Sequence, residues 1–317
     1  VMIMGSALDR LLRVLDLVDI KTFKRLVLVE SDEDLSMFKS FLGDDGTIYL
    51  PIRGLRNSTS NFWFEVPKDL LQEVITSFKP YIVGELIDVL IYVSLTPSNL
   101  AITYEVLKEL KVICGNAKKL LFIKVNPTIN DNDLINILTY VVKILKEDLI
   151  NYVLIINKDL LKYLRLINGG NSLVKCLDAV LRNSDGVENY LRRFNKLGVV
   201  TCLPKIDLEI FSNLLNVVRF SLHLIGDYSN KLDTALLIIY HNFNDLDLEV
   251  GNMGRYFMLN DLHVIEFRDL SNVLTVVMIR PANQLLSRLD GVVKVYEVIR
   301  GKDLGISLND LTRIVGH

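Results

Sequence analysis

Short apolar runs recur along the first half of the chain, separated by longer segments whose apolar positions fall three or four residues apart. VMIM (residues 1–4), RLVLV (25–29), DVLIYV (88–93), KLLFIKV (119–125) and YVLIIN (152–157) are short and rich in β-branched residues, and they predict strands. The intervening SALDRLLRVLDLV, VPKDLLQEVITSF, SNLAITYEVLKELK and DNDLINILTYVVKILKEDL have helical spacing. Five such strand-helix units predict an α/β fold with a Rossmann-like, mostly parallel sheet covered on both faces, because strands apolar on both sides need two apolar coverings.

The pattern changes after residue 171. A helical segment spans about 172–195, VVTCLP (199–204) reads as a loop, and further helices are predicted over about 207–224 and 231–243. Strands are then predicted at RYFMLN (255–260), HVIEF (263–267), VLTVVMI (273–279) and KVYEVI (294–299). Helices followed by directly joined strands predict a smaller C-terminal α+β domain with a mixed or antiparallel sheet. The expected division is an α/β domain over 1–171, a central helix and loop over 172–206, an α+β domain over 207–299 and a tail over 300–317. The tail reads as an appendage, and its ISLNDLTRIV has the spacing of a short amphipathic helix.

Composition narrows the function classes. The 317 residues are 50% hydrophobic, enough for an extensive core, and the longest apolar runs are far shorter than the ~18 residues of a membrane-spanning helix. A net charge of −2 without a long basic run points away from nucleic acid. Cys114, Cys176 and Cys202 lack zinc-ligand spacing and fit a reducing cytoplasm. His223, His241, His263 and His317 show no paired metal spacing, and neither a GxSxG elbow nor a Walker GxxxxGK[ST] occurs. Asp131 and Asp133 read as a helix-capping pair rather than a calcium loop.

The most informative stretch is SLTPSNLA, between the strand at 88–93 and the helix after it. Nucleotide-binding folds usually place glycines at this junction, where backbone N–H groups must approach phosphate closely. Here there is none, and Pro97 removes a donor. Ser94, Thr96, Ser98 and Asn99 are suited to capping the helix, whose N-terminus attracts anions by itself. SDEDL (31–35) also has N-cap chemistry, and its acidic charges repel phosphate unless magnesium accompanies it.

The order of parts resembles the tubulin/FtsZ superfamily. YVLIINKDLL (152–161) is similar to that family's LIVIPNDKLL, LDAVLRNSDGV (177–187) to LDAFGAANDVL at the start of its central helix, and KIDLEIFSNLL (205–215) to its catalytic loop NVDFADVRTVM. VLVESDEDL resembles AINTDAQAL, and IRGLRNS stands where the family has GLGAGANP. The resemblance reaches to about Arg300 and rests on order and spacing.

It implies guanine recognition by Asn157 and Asp185, without the stacking aromatic that many members carry where Val180 stands. The first phosphate turn retains only Gly5, in MGSALDRL. In the loop that would complete a neighbouring subunit's hydrolytic site, Asp207 keeps the first acidic position, whereas Ile210 takes the second and Lys205 replaces an asparagine. Glu209, one residue away, substitutes only if the loop shifts, since adjacent helical residues point ~100° apart. The residues taken alone also have plain readings: Asn157 as a turn former, Asp185 as a solvated helix residue and Asp207 as an N-cap.

The resemblance therefore implies a cytoplasmic, FtsZ-like cytoskeletal or division protein assembling head to tail into filaments. It would bind GTP or GDP weakly or not at all, with magnesium accompanying any nucleotide, and hydrolysis would be slow or absent. The alternatives are a non-polymerising pseudo-GTPase scaffold and an active GTPase with divergent loops. Residues 301–317 are either an adaptor-binding tail or a frayed terminal helix.

Overall fold

The structure, a computed structural model, describes residues 25–43, 46–51, 60–69, 71, 76, 88–126, 129–158, 177, 179–206, 234–241, 261–268, 274–282 and 292–315. The strands are β1 (Arg25–Val29), β2 (Thr47–Pro51), β3 (Asp88–Ser94), β4 (Lys118–Val125), β5 (Tyr152–Asn157), β6 (Leu197–Ile206), β7 (Thr234–His241), β8 (Asp261–Arg268) and β9 (Leu274–Pro281). The helices are α1 (Asp32–Leu42), α2 (Pro97–Ile113), α3 (Asp131–Lys146), α4 (Ser184–Leu191), α5 (Val292–Ile299) and α6 (Leu308–Val315).

The strands form one nine-stranded sheet in the order β2-β1-β3-β4-β5-β6-β9-β7-β8. Every pairing is parallel except those of β9, which runs antiparallel to both β6 and β7. Alternation along each strand separates two cores. Leu26, Leu28, Val89, Ile91, Leu121 and Ile123 face α2, α3, α5 and α6, whereas Val27, Val29, Leu90, Tyr92, Leu120 and Phe122 face α1 and α4. The expected α/β class with a mostly parallel sheet is thus the observed one.

Capping fixes where the helices begin. The Ser31 hydroxyl accepts the Asp34 N–H at the start of α1, and the Thr96 hydroxyl accepts the Asn99 N–H at the start of α2, where Pro97 occupies a position needing no donor. Asn130 and Asp133 form a reciprocal capping box on α3. Trp63 bridges α2 and α3: its ring lies 5.3 Å from that of Tyr104 and 5.4 Å from that of Tyr140, and its indole N–H donates to the Thr139 hydroxyl at 3.0 Å. At Gly198 on β6, a Cβ would meet Leu191 Cδ2 at 2.9 Å and the Arg280 carbonyl at 3.1 Å, so β6 can pack this closely only with glycine there.

Several elements differ from expectation. VVTCLP belongs to strand β6 rather than to a loop, and a register irregularity between Leu203 and Ile206 accommodates Pro204. The expected helix at 231–243 is β7 over 234–241, and the expected strand KVYEVI lies in α5, where Val295 and Ile299 point into the core four residues apart. GTIYLP contains β2, which the pattern did not predict. The helical reading of 172–195 holds for the described residues 177, 179–182 and 184–191, with a turn at Asn183. VMIM, RYFMLN, most of VPKDLLQEVITSF and the helix expected at 207–224 lie outside the described residues.

The tail is docked rather than appended. Leu311 and Ile314 of α6 are buried in the same core as α3. Lys143 and Lys146 of α3 donate to the carbonyls of Leu304 and Gly305, and Lys146 also pairs with Asp310 at 2.7 Å. Asn195, held at φ 54°, donates its side-chain amide to the Arg313 carbonyl at the far end of α6.

Candidate functional site

The chain leaves β1 toward β2 on one side and later continues from β3 toward β4 on the other, which places α1 and α2 on opposite faces of the sheet. The crevice between the carboxyl ends of β1 and β3 is therefore the topological switch point, where open α/β sheets bind their ligands. Residues at the carboxyl ends of β1, β3 and β4 converge there.

Glu30, immediately after β1, extends its carboxylate across to β3. Oε2 accepts the Ser94 backbone N–H at 2.6 Å and the Asn99 side-chain amide at 2.8 Å. Oε1 accepts the Ser94 hydroxyl at 2.5 Å and pairs with Lys124 Nζ. Lys124 also binds Asp34 Oδ2 at 2.9 Å and lies 4.5 Å from the Tyr92 ring centre. Asp34 in turn accepts the Ser31 hydroxyl at 2.8 Å.

This network is sheltered from solvent, with side-chain exposures of 7% for Lys124, 5% for Asp34 and 18% for Glu30. One cation faces two carboxylates, so the crevice carries a formal charge of −1 before the exposed Asp32 and Glu33 are added.

Of the expected turn residues, Ser94 and Asn99 are in this network, Thr96 caps α2, and Ser98 is buried in its first turn. Asn157 ends β5, opposite Val125 of β4, and is buried on the same carboxyl side of the sheet. Asp185 lies at the other end. It pairs with Lys118, the first residue of β4, whereas the crevice is built around Lys124; six residues of strand separate them by roughly 20 Å.

The neighbourhood of Asp185 is a separate polar cluster. Lys118 also donates to Ser184 Oγ at 3.3 Å, Arg25 lies 4.0 Å from Asp88, and Asn151 bridges β4 and α4, its side-chain oxygen accepting the Lys119 N–H and its amide donating to Glu188. Burial pushes the Asp88 carboxyl above its ordinary pKa, with Arg25 and Lys118 partly offsetting it. The contacts of Lys118 and Asn151 hold the start of α4 against β4, and the Arg25–Asp88 pair joins β1 to β3. The arrangement does not bring Asn157 and Asp185 within reach of one base.

Gly5, Asp207 and Glu209 lie outside the described residues. Among the described residues no group of three or more His, Cys, Asp or Glu side chains could hold a metal ion, and no helix is long and apolar enough to cross a membrane. Glu30 and Lys124 were not singled out by the sequence; Glu30 lies 64 residues from Ser94, and no local spacing joins them. The donors of the crevice, the Ser94 N–H and hydroxyl, the Asn99 amide and the Lys124 ammonium, are directed at the chain's own Glu30 carboxylate.

No protein-family model and no curated protein matches the sequence. Solved structures do. The chain is similar to CetZ from Methanosaeta thermophila strain DSM 6194, with a TM-score of 0.55 and 11% identity over 86% of this chain and 90% of that one. It is also similar to CetZ2 from Haloferax volcanii, whose structure is a GTPγS-bound protofilament, with a TM-score of 0.52 and 10% identity over 86% of this chain and 99% of that one.

Proposed function

We propose that this chain, which has the fold of the tubulin/FtsZ superfamily, is a cytoskeletal protein that assembles head to tail into filaments and needs no bound nucleotide to do so. The observation that supports it best is the extent of the likeness, which runs along 99% of CetZ2, a protein solved as a protofilament. A repeated heterologous contact generates an open filament when its rotation does not close. The self-satisfied crevice supports the second half of the reading, since Ser94, Asn99 and Lys124 have partners without any ligand.

In this reading Asp207 and Glu209 are the residual acidic residues of the subunit contact, and hydrolysis of GTP is slow or absent. Any adaptor that binds residues 301–317 through their apolar face must first draw α6 away from α3, because Leu311 and Ile314 are already covered. Sedimentation and negative-stain microscopy of the purified protein without nucleotide, with GTP and with GDP test the proposal. Concentration-dependent filaments of equal yield in all three are expected. A monomer at every concentration and with either nucleotide would refute it.

A further inference from the structure

The crevice between β1 and β3 holds its own anion. Four donors converge on one carboxylate: a backbone N–H, a hydroxyl, a side-chain amide and an ammonium. They use both oxygens of Glu30, two donors to each. Lys124 does not need Glu30 for neutralisation, since Asp34 already pairs with it at 2.9 Å. What Glu30 adds is occupancy of the Ser94 N–H and the Asn99 amide at the carboxyl end of β3, the donors an incoming phosphoryl group would use.

We infer that Glu30 is an intramolecular plug, a carboxylate that takes the place of a phosphoryl group at the switch point and keeps oxyanions out. The inference rests on reading this crevice as the fold's nucleotide-phosphate position. It extends the proposed function by adding to the missing glycines a second reason for weak phosphate binding. Missing glycines weaken a cradle; an occupied cradle is closed. A group tethered to β1 competes at an effective concentration of ~mM or more, so a weakly held external phosphate is displaced. The plug also adds a negative charge beside Asp34, which disfavours any further anion.

The test is calorimetric titration of the full chain with inorganic pyrophosphate, with and without magnesium, for the wild type, E30A and E30Q. E30A retains the Lys124–Asp34 pair and frees the three other donors. It is expected to bind pyrophosphate at least about tenfold tighter than the wild type. E30Q, whose amide oxygen still reaches Ser94, is expected to gain less. Replacing Asn99 by Leu in the E30A background should remove the gain.

A folded E30A, verified by its thermal transition, that binds pyrophosphate no tighter than the wild type overturns the inference. If E30A does not fold, E30Q carries the test, and no gain there overturns it equally. Sedimentation of the wild type without nucleotide is read separately. Filaments together with an unchanged E30A affinity would remove the plug and leave the assembly proposal standing, and the reverse pair of results would do the opposite.

Discussion

Lys124→Met should be among the most damaging single substitutions in the α/β half of the chain. The ammonium is 7% exposed and pairs with two carboxylates, one of them, Asp34, 5% exposed at 2.9 Å. At an effective dielectric constant of about 20, a pair at that separation attracts by about 6 kcal/mol before desolvation is subtracted. Methionine keeps the aliphatic packing over Tyr92 but leaves Glu30 and Asp34 facing each other without a cation. Removing one partner of a buried pair typically costs about 3–5 kcal/mol. In urea unfolding followed by circular dichroism, the midpoint should fall with the slope unchanged. K124M/D34N should be less destabilised than the sum of the two single variants, because the second change removes a charge the first stranded. A loss below about 1 kcal/mol, the value of an exposed pair, would refute the account of a sheltered network.

Thr139→Val strands the Trp63 indole N–H and should cost about 1–3 kcal/mol, followed by the fluorescence of the chain's single tryptophan; no change in the unfolding midpoint would show that the bond contributes nothing. Deleting residues 301–317 uncovers the α3 surface beneath Leu311 and Ile314 and should lower stability by about 3–6 kcal/mol, an upper estimate, whereas an unchanged urea midpoint would mean that α6 is undocked in solution. Partial burial raises the pKa of Asp310, but hydrogen bonds from Lys146 and from the Ser307 N–H and hydroxyl outweigh it and hold the carboxyl at about 2. Its contribution is therefore present above the unfolded pKa near 4 and lost as pH falls through about 2. D310N should cost about 1 kcal/mol or less at neutral pH, a difference that shrinks as pH falls toward 2 and disappears below it; a difference constant across that range would contradict the assignment.

The chain displays β1, β3, β4, β5, β8 and β9 plainly and β2, β6 and β7 poorly. RLVLV, DVLIYV, KLLFIKV and YVLIIN are bounded by polar residues or turns, and each became a strand of nearly the expected length. LDTALLIIYHNF has a longer apolar run, and because β7 is buried on both faces, as consecutive Ala235, Leu236, Leu237 and Ile238 show, its sequence lacks the alternation that separates strand from helix. In α5 the valines favour a strand by propensity, but packing of Val295 and Ile299 on the core decides for a helix. Thr96 was legible as the cap of α2, and Ser94 and Asn99, expected to cap beside it, were legible as polar turn residues. Their occupant was not, because Glu30 meets them only through the parallel register of β1 on β3, which sequence spacing does not encode.

The position of β9 constrains how this protein can be made. Among the described strands it is the last to leave the ribosome, yet it lies between β6 and β7 and provides the ladder that joins them. Until residues 274–281 have been synthesised, β1–β6 and the β7–β8 pair share no backbone hydrogen bonds among the described residues. Each fragment has an unpaired edge facing the place its partner will occupy, the condition in which nascent chains pair wrongly with one another. A chain stopped before Leu274 therefore leaves two separate sheets rather than a shortened one.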